Sequence, residues 1–192
     1  MACVKGFALR GLLKSVKAAG GSISAVIAAV PEAERATFAR PIVATEWYPY
    51  SAFVALVRAI DALQGKGDLL YARELGLAAA ARDLGGTFRI ISAIASPRLI
   101  IERAHVFWSK YCDTGSLRLA APDLRCFQGR LEGFPDVDAA HCLLIEGWLE
   151  GLGLALGAEG MSTRHVRCVR RGDAACEFEG SWKADRPGTW LG

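Results

Sequence analysis

The apolar residues of this 192-residue chain first change their period near Gly115, and that change restricts the fold more than any other feature. Upstream the spacing is helical. Leu9, Leu12, Leu13 and Val16 share one face before Gly20 and Gly21, Ser22 caps a run of Ile23, Val26, Ile27 and Val30, and Pro31 with Glu32 and Glu34 opens a third short helix. Phe53, Leu56, Val57, Ile60 and Leu63 form a longer face that ends at Gly65 to Gly67, and Asp68 starts an alanine-rich helix to Leu84 with Gly85 and Gly86 as its stop. Around Pro97, a further stripe holds Ile100, Ala104, Phe107, Trp108 and Tyr111. Downstream the period is two: Leu117, Leu119 and Ala121, a turn at Pro122-Asp123, then Phe127, Gly129 and Leu131 predict a β-hairpin. A helix from Asp138 to about Gly157 and a second hairpin follow, so the expected class is α+β, an antiparallel sheet packed with helices.

One core suits this length, divided as an N-terminal helical extension (1–40), an α+β domain (41–183) and a C-terminal tail (184–192). The formal net charge of +3 is spread along the chain, which argues against nucleic acid as a partner. Arg10, Lys14 and Lys17 interrupt the first apolar run, and no apolar stretch is long enough for a membrane span. A cytoplasmic protein is expected, and its six cysteines then favour burial or metal over disulfides.

Three of those cysteines and one histidine gather late in the chain. The turn Arg170-Arg171-Gly172-Asp173 sets Cys168 opposite Cys176, with Val166, Phe178 and Trp182 on the same inward face, and Cys142 lies on the preceding helix. The spacing Cys142-x22-His165-x2-Cys168-x7-Cys176 offers zinc its preferred sulfur and nitrogen donors, although it is not a common finger pattern. In a regular strand His165 and Cys168 face opposite ways, so joint ligation needs a β-bulge between them. Packed thiols, a disulfide and a metal site all remain open on the residues alone.

A ligand pocket is expected from Phe107, Trp108 and Tyr111 on one helix and Gly147, Trp148 and Gly151 on another, set against ordinary helix-to-sheet packing by the same residues. Trp47-Tyr48-Pro49-Tyr50 forms an aromatic knot read as a staple for the N-terminal helices. His105 on its helix reads as structural. Glu146 and Glu150 share a helix face, which a solvated surface explains as well as acid and base would. Phosphate-loop, nucleophile-elbow, HExxH and dinucleotide motifs are absent from the sequence, so no catalytic residue is assigned.

The segment Cys142 to Trp182, with Gly147-Trp148-x2-Gly151, Cys168, Gly172-Asp173, Cys176-Glu177-Phe178 and Trp182, resembles the 4-vinyl reductase (V4R) domain. With Trp47-Tyr48-Pro49, Gly67-Asp68, Glu74-Leu75-Gly76, Ser96-Pro97 and Asp113-Thr114-Gly115, the whole chain resembles a bacterial family of similar length that carries this signature. Trp148 stands where the signature has tyrosine. The resemblance implies a fold shared with TRAPP vesicle-tethering subunits and haem nitric-oxide-binding domains, and a homodimer enclosing an apolar cavity for a small apolar or aromatic ligand. It also implies zinc on Cys142, His165, Cys168 and Cys176, because phenol-sensing activators of this type bind zinc through the same spacing with Glu in place of His. Haem is expected not to bind, since the proximal histidine and Tyr-x-Ser-x-Arg motif of the haem branch are missing. The function implied is non-catalytic small-molecule sensing with a structural zinc; the alternatives are an interaction scaffold resembling TRAPP subunits or a tetrapyrrole-related reductase.

Overall fold

A computed structural model describes residues 1–85, 104–135 and 137–185. The expected helix stop at Gly86, the stripe positions Pro97 and Ile100, and the tail beyond 185 lie outside the described residues. The chain is an α+β structure. Strand β1 (Cys3–Lys5) leads into α1 (Gly6–Ala18), α2 (Ile23–Ala29) and α3 (Glu32–Arg35); β2 (Trp47–Pro49) precedes α4 (Tyr50–Gln64) and α5 (Leu70–Gly85). After α6 (Ala104–Tyr111) come β3 (Ser116–Ala120), β4 (Cys126–Glu132), α7 (Ala139–Ala155), β5 (Ala158–Glu159), β6 (Ser162–Arg167), β7 (Cys176–Ser181) and β8 (Ala184–Asp185).

Local chemistry sets these bounds. Helix α1 buries Leu9, Leu12 and Val16, then ends in a Schellman arrangement: Gly20, at φ 74°, donates to the Lys17 carbonyl and Gly21 to that of Val16. The Ser22 hydroxyl accepts from the Ala25 N–H to cap α2, and the Asp138 carboxylate accepts from the Ala140 N–H, 2.8 Å away, to cap α7. Leu9, Val16 and Val26 pack into one cluster with Phe53, Leu56, Ile145 and Phe178, so the N-terminal helices share the central core.

Sequence reasoning had no strand at residues 3–5, which are too few to show a period. β1 pairs antiparallel with β2, Val4 bridges to Cys112, and the Asp113 carboxylate accepts from the Cys3 N–H at 2.7 Å. The aromatic knot is thus partly strand: Trp47 lies under the Lys5 ammonium, and the Tyr48 hydroxyl accepts from the Val43 N–H.

The main sheet is antiparallel in the order β3-β4-β7-β6, and its covered face carries Leu117, Phe127, Leu131 and Phe178. Helix α7 packs along β6. Its Glu150 carboxylate accepts from the Thr163 N–H and its Glu146 carboxylate from the His165 N–H, each at 2.9 Å, so two donors on the sheet's free edge are satisfied. Arg73 of α5 bonds both carboxylates from the other side. The pair is therefore a structural clamp joining α5, α7 and β6.

Asp61, buried to 1% exposure on α4, accepts from the backbone N–H groups of Leu69 and Tyr71 and fixes the turn into α5. Asp61→Ala leaves both donors unpaired inside the protein, and we expect urea unfolding to show a loss of about 2–3 kcal/mol. A loss under about 0.5 kcal/mol would mean that water replaces the carboxylate there.

Candidate functional site: two faces of helix α7

The first turns of α7 present Cys142 toward the β6–β7 hairpin and His141, Leu144, Ile145 and Trp148 toward a partly open cavity. One helix therefore serves two sites.

On the hairpin face, the Cys142 and Cys176 sulfurs are 3.7 Å apart and those of Cys176 and Cys168 3.9 Å. The donor atoms of Cys142, His165, Cys168 and Cys176 all lie within 4.8 Å of one another. Sulfurs at about 2.3 Å from a tetrahedral zinc stand about 3.8 Å apart, so two of the three thiol pairs already hold that spacing. All six cysteines are free, and a bonded sulfur pair would be about 2.05 Å apart.

A β-bulge brings the histidine in. The β6–β7 register shifts between His165 and Arg167: His165 pairs with Phe178, Arg167 with Glu177, and Val166 is the extra residue. The expectation that Val166 faces inward is corrected. It is 39% exposed, because the bulge moves the inward position back to His165, while Phe178 and Trp182 stay buried. The His165 ring stacks on Phe178 with centroids 4.7 Å apart, and its Nε2 is buried without a hydrogen bond of regular geometry.

The turn is equally determined. Gly172 takes φ 92°, and the Asp173 carboxylate accepts from the Cys168 N–H at 2.7 Å. The hydrogen bond from the Cys142 thiol pulls the Cys176 pKa down, opposed by burial and assisted by the nearby His165 ring and the Val169 backbone; Cys142 is pushed up in return. A thiolate at Cys176 is the form that binds metal.

On the other face the cavity has a volume of about 80 Å³. Phe7 and Leu12 of α1, Phe53 of α4 and Ile145 of α7 give it apolar walls. Of the expected pocket residues, Trp108, Tyr111 and Trp148 line it. Phe107 sits instead in a small cluster with Ala80, Leu152 and Leu156. Gly147 and Gly151 turn toward α5, where a Cβ on Gly147 would overlap the Arg73 carbonyl oxygen and one on Gly151 would come within 2.8 Å of that of Leu77. Their bare backbones allow α5 and α7 to approach closely.

Three cavity residues carry chemistry that the sequence reading did not assign. His141 is fully buried among Tyr50, Phe53, Trp108 and Phe134, and its Nδ1 is 3.1 Å from the Tyr50 hydroxyl. Burial pushes its pKa down to about 4, so the imidazole is neutral near pH 7. Arg82 and Asp83 of α5 form the polar end: the Asp83 carboxylate accepts from the Tyr111 hydroxyl and the Trp148 indole N–H, and Arg82 donates to the Ser15 hydroxyl at 2.7 Å. Burial lowers the Arg82 pKa and raises that of Asp83. The sequence signal was slight, an adjacent charged pair closing an alanine-rich helix.

No family model matches this chain, and no curated protein matches it. Solved structures do. An H-NOX protein from S. oneidensis in the Fe(II) ligation state superposes with a TM-score of 0.75 at 14% identity, covering 95% of this chain and 98% of that one. An unliganded Fe(II) H-NOX protein from K. algicida gives 0.67 at 10% identity over 94% and 97%. The oxygen complex of an oxygen-binding H-NOX domain related to soluble guanylate cyclases gives 0.63 at 14% over 94% and 96%. The chain has the H-NOX fold.

The expectation against haem is corrected by these matches. Its ground was the absence of two motifs, yet nearly the whole chain adopts the fold of proteins described by their iron state. The donor chemistry also fits: His141 supplies a neutral imidazole at an apolar cavity wall, held at Nδ1 by Tyr50, the type of ligand haem iron takes. A porphyrin needs more than the present volume, so haem would require the cavity to widen. His105 is exposed on α6.

Proposed function

We propose that this protein is a non-catalytic sensory module that binds a small molecule in the cavity and fixes the adjoining hairpin with a structural zinc ion on Cys142, His165, Cys168 and Cys176. The observation that carries the reading is the shared helix: the cavity wall and the zinc ligand Cys142 occupy the same turns of α7. Occupancy of the cavity then acts on the helix that holds the hairpin. The clamp of Glu146 and Glu150 onto Arg73 and β6 engages the paired acids in structure, which supports a non-catalytic role. The V4R-like signature, assembly as a homodimer and a cytoplasmic setting belong to the same proposal; light scattering reads the dimer. No helix among the described residues is long and apolar enough to cross a membrane.

A second reading, favoured by His141 on the cavity wall, makes the ligand haem. When bound, haem would supply an iron centre for a diatomic gas; the chain would supply His141 as ligand, Tyr50 to orient it and an apolar surround. Titration with toluene and hemin, followed by thermal shift and absorbance, tests both. Toluene is expected to raise the melting temperature. Under the haem reading hemin gives a Soret band of bound haem that His141→Ala shifts or abolishes. If neither compound changes melting or absorbance, the cavity is not a ligand site.

A further inference from the structure

The polar end of the cavity is unbalanced. Among the described residues, Asp83 is met by two neutral donors, whereas the Arg82 guanidinium is hydrogen-bonded to one neutral acceptor, the Ser15 hydroxyl. Among the described residues no carboxylate forms an ion pair with Arg82. A guanidinium has five N–H donors in a planar fork, and taking its charge out of water is costly unless an anion compensates. The fork lies against α1 at the cavity wall, next to a residue without a side chain. Gly11 of α1 lines the cavity there, and a Cβ on it would come within 3.4 Å of the Arg82 Nη2. Away from this end the walls are mostly apolar. His141 and Trp148, seven residues apart on α7, place the two ends of the cavity about 10 Å from one another.

Resting on the reading of the cavity as a ligand site, we infer that its ligand is an apolar molecule bearing a carboxylate, which Arg82 binds while Trp108, Tyr111 and Trp148 hold the apolar body. Asp83 attracts the guanidinium electrostatically but is not bonded to the fork, its Oδ2 being engaged by Tyr111 and Trp148. Burial already raises its affinity for a proton, and a second carboxylate nearby would raise it further, with the proton taken up from water. Free small acids and the propionate groups of haem both carry this chemistry.

The test compares toluene, benzoate and hemin by calorimetry on the full chain and on Arg82→Gln and Arg82→Lys, with circular dichroism verifying the fold. Benzoate is expected to bind about tenfold tighter than toluene, to lose that margin in Arg82→Gln and to keep part of it in Arg82→Lys, while toluene binds all three alike. Loss of hemin affinity, and not of benzoate affinity, in Arg82→Gln supports the inference with a propionate as the carboxylate. Toluene binding with neither benzoate nor hemin affinity depending on Arg82 overturns it and leaves the cavity reading intact. Binding of no probe at all removes both. If Arg82→Gln fails to fold, the benzoate-to-toluene ratio of the unsubstituted protein and the Lys variant decide.

Discussion

Protein purified from zinc-containing medium is expected to carry one equivalent of zinc per chain, and stripping it is expected to lower the melting temperature by about 10 °C or more. The magnitude follows from where the ligands lie. Cys142 is on α7, His165 and Cys168 flank the bulge, and Cys176 begins β7, so one ion would tie the helix to both arms of the hairpin, which α7 otherwise meets through its packed side chains and the Glu146 and Glu150 carboxylates. Without it, three thiols and the unpartnered His165 Nε2 remain in a buried pocket, which we estimate at about 3–5 kcal/mol; one kcal/mol is about 2–4 °C at this chain length. Cys176→Ser should lose both the metal and the stability, and Cys126→Ser, remote from the cluster, neither. Less than about a tenth of an equivalent of zinc, with melting unchanged in Cys168→Ser, would leave four residues packed side by side and nothing more.

Why the cluster of Cys142, His165, Cys168 and Cys176 was only half legible in the sequence is clear at Val166. The spacing of cysteines and histidine is a sequence property, and so is the requirement for a bulge if His165 is to turn in. The position of that bulge is not, because it depends on which register best buries Phe178 and Cys176 against α7, a choice made between elements. The long periodic helices and the β3–β4 hairpin were legible because their signal is repeated along many residues. β1 was not, since three residues carry no period and its reasons are Trp47, Tyr48 and Cys112 elsewhere in the chain. Arg82, Asp83 and His141 were missed for a related reason. A charged or imidazole side chain reads as functional only once the surrounding walls are known to be apolar, and those walls come from α1, α4, α6 and α7.

Gly147→Ala is expected to destabilise the protein by about 3 kcal/mol or more, although alanine is the better helix former by about 1 kcal/mol. At the α5–α7 crossing the contact is backbone on backbone from both sides: a Cβ at Gly76 would overlap the Leu144 carbonyl oxygen, and one at Gly147 the carbonyl oxygen of Arg73. Neither obstacle can rotate away, so the helices must part. Parting them pulls Arg73 from Glu146 and Glu150, and with it the clamp that positions the His165 and Thr163 N–H groups. The cavity walls on both helices separate as well, so ligand binding should weaken together with stability. Gly153→Ala, on the same helix, is the control. Its Cβ would meet the Met161 side chain at 2.9–3.1 Å, an unbranched group that can turn aside, so the helix-propensity gain should leave stability within about 1 kcal/mol of the original. Equal melting temperatures for the two variants would show that α5 and α7 do not rely on the bare backbone at Gly147, and that Gly147 is free to serve the cavity instead.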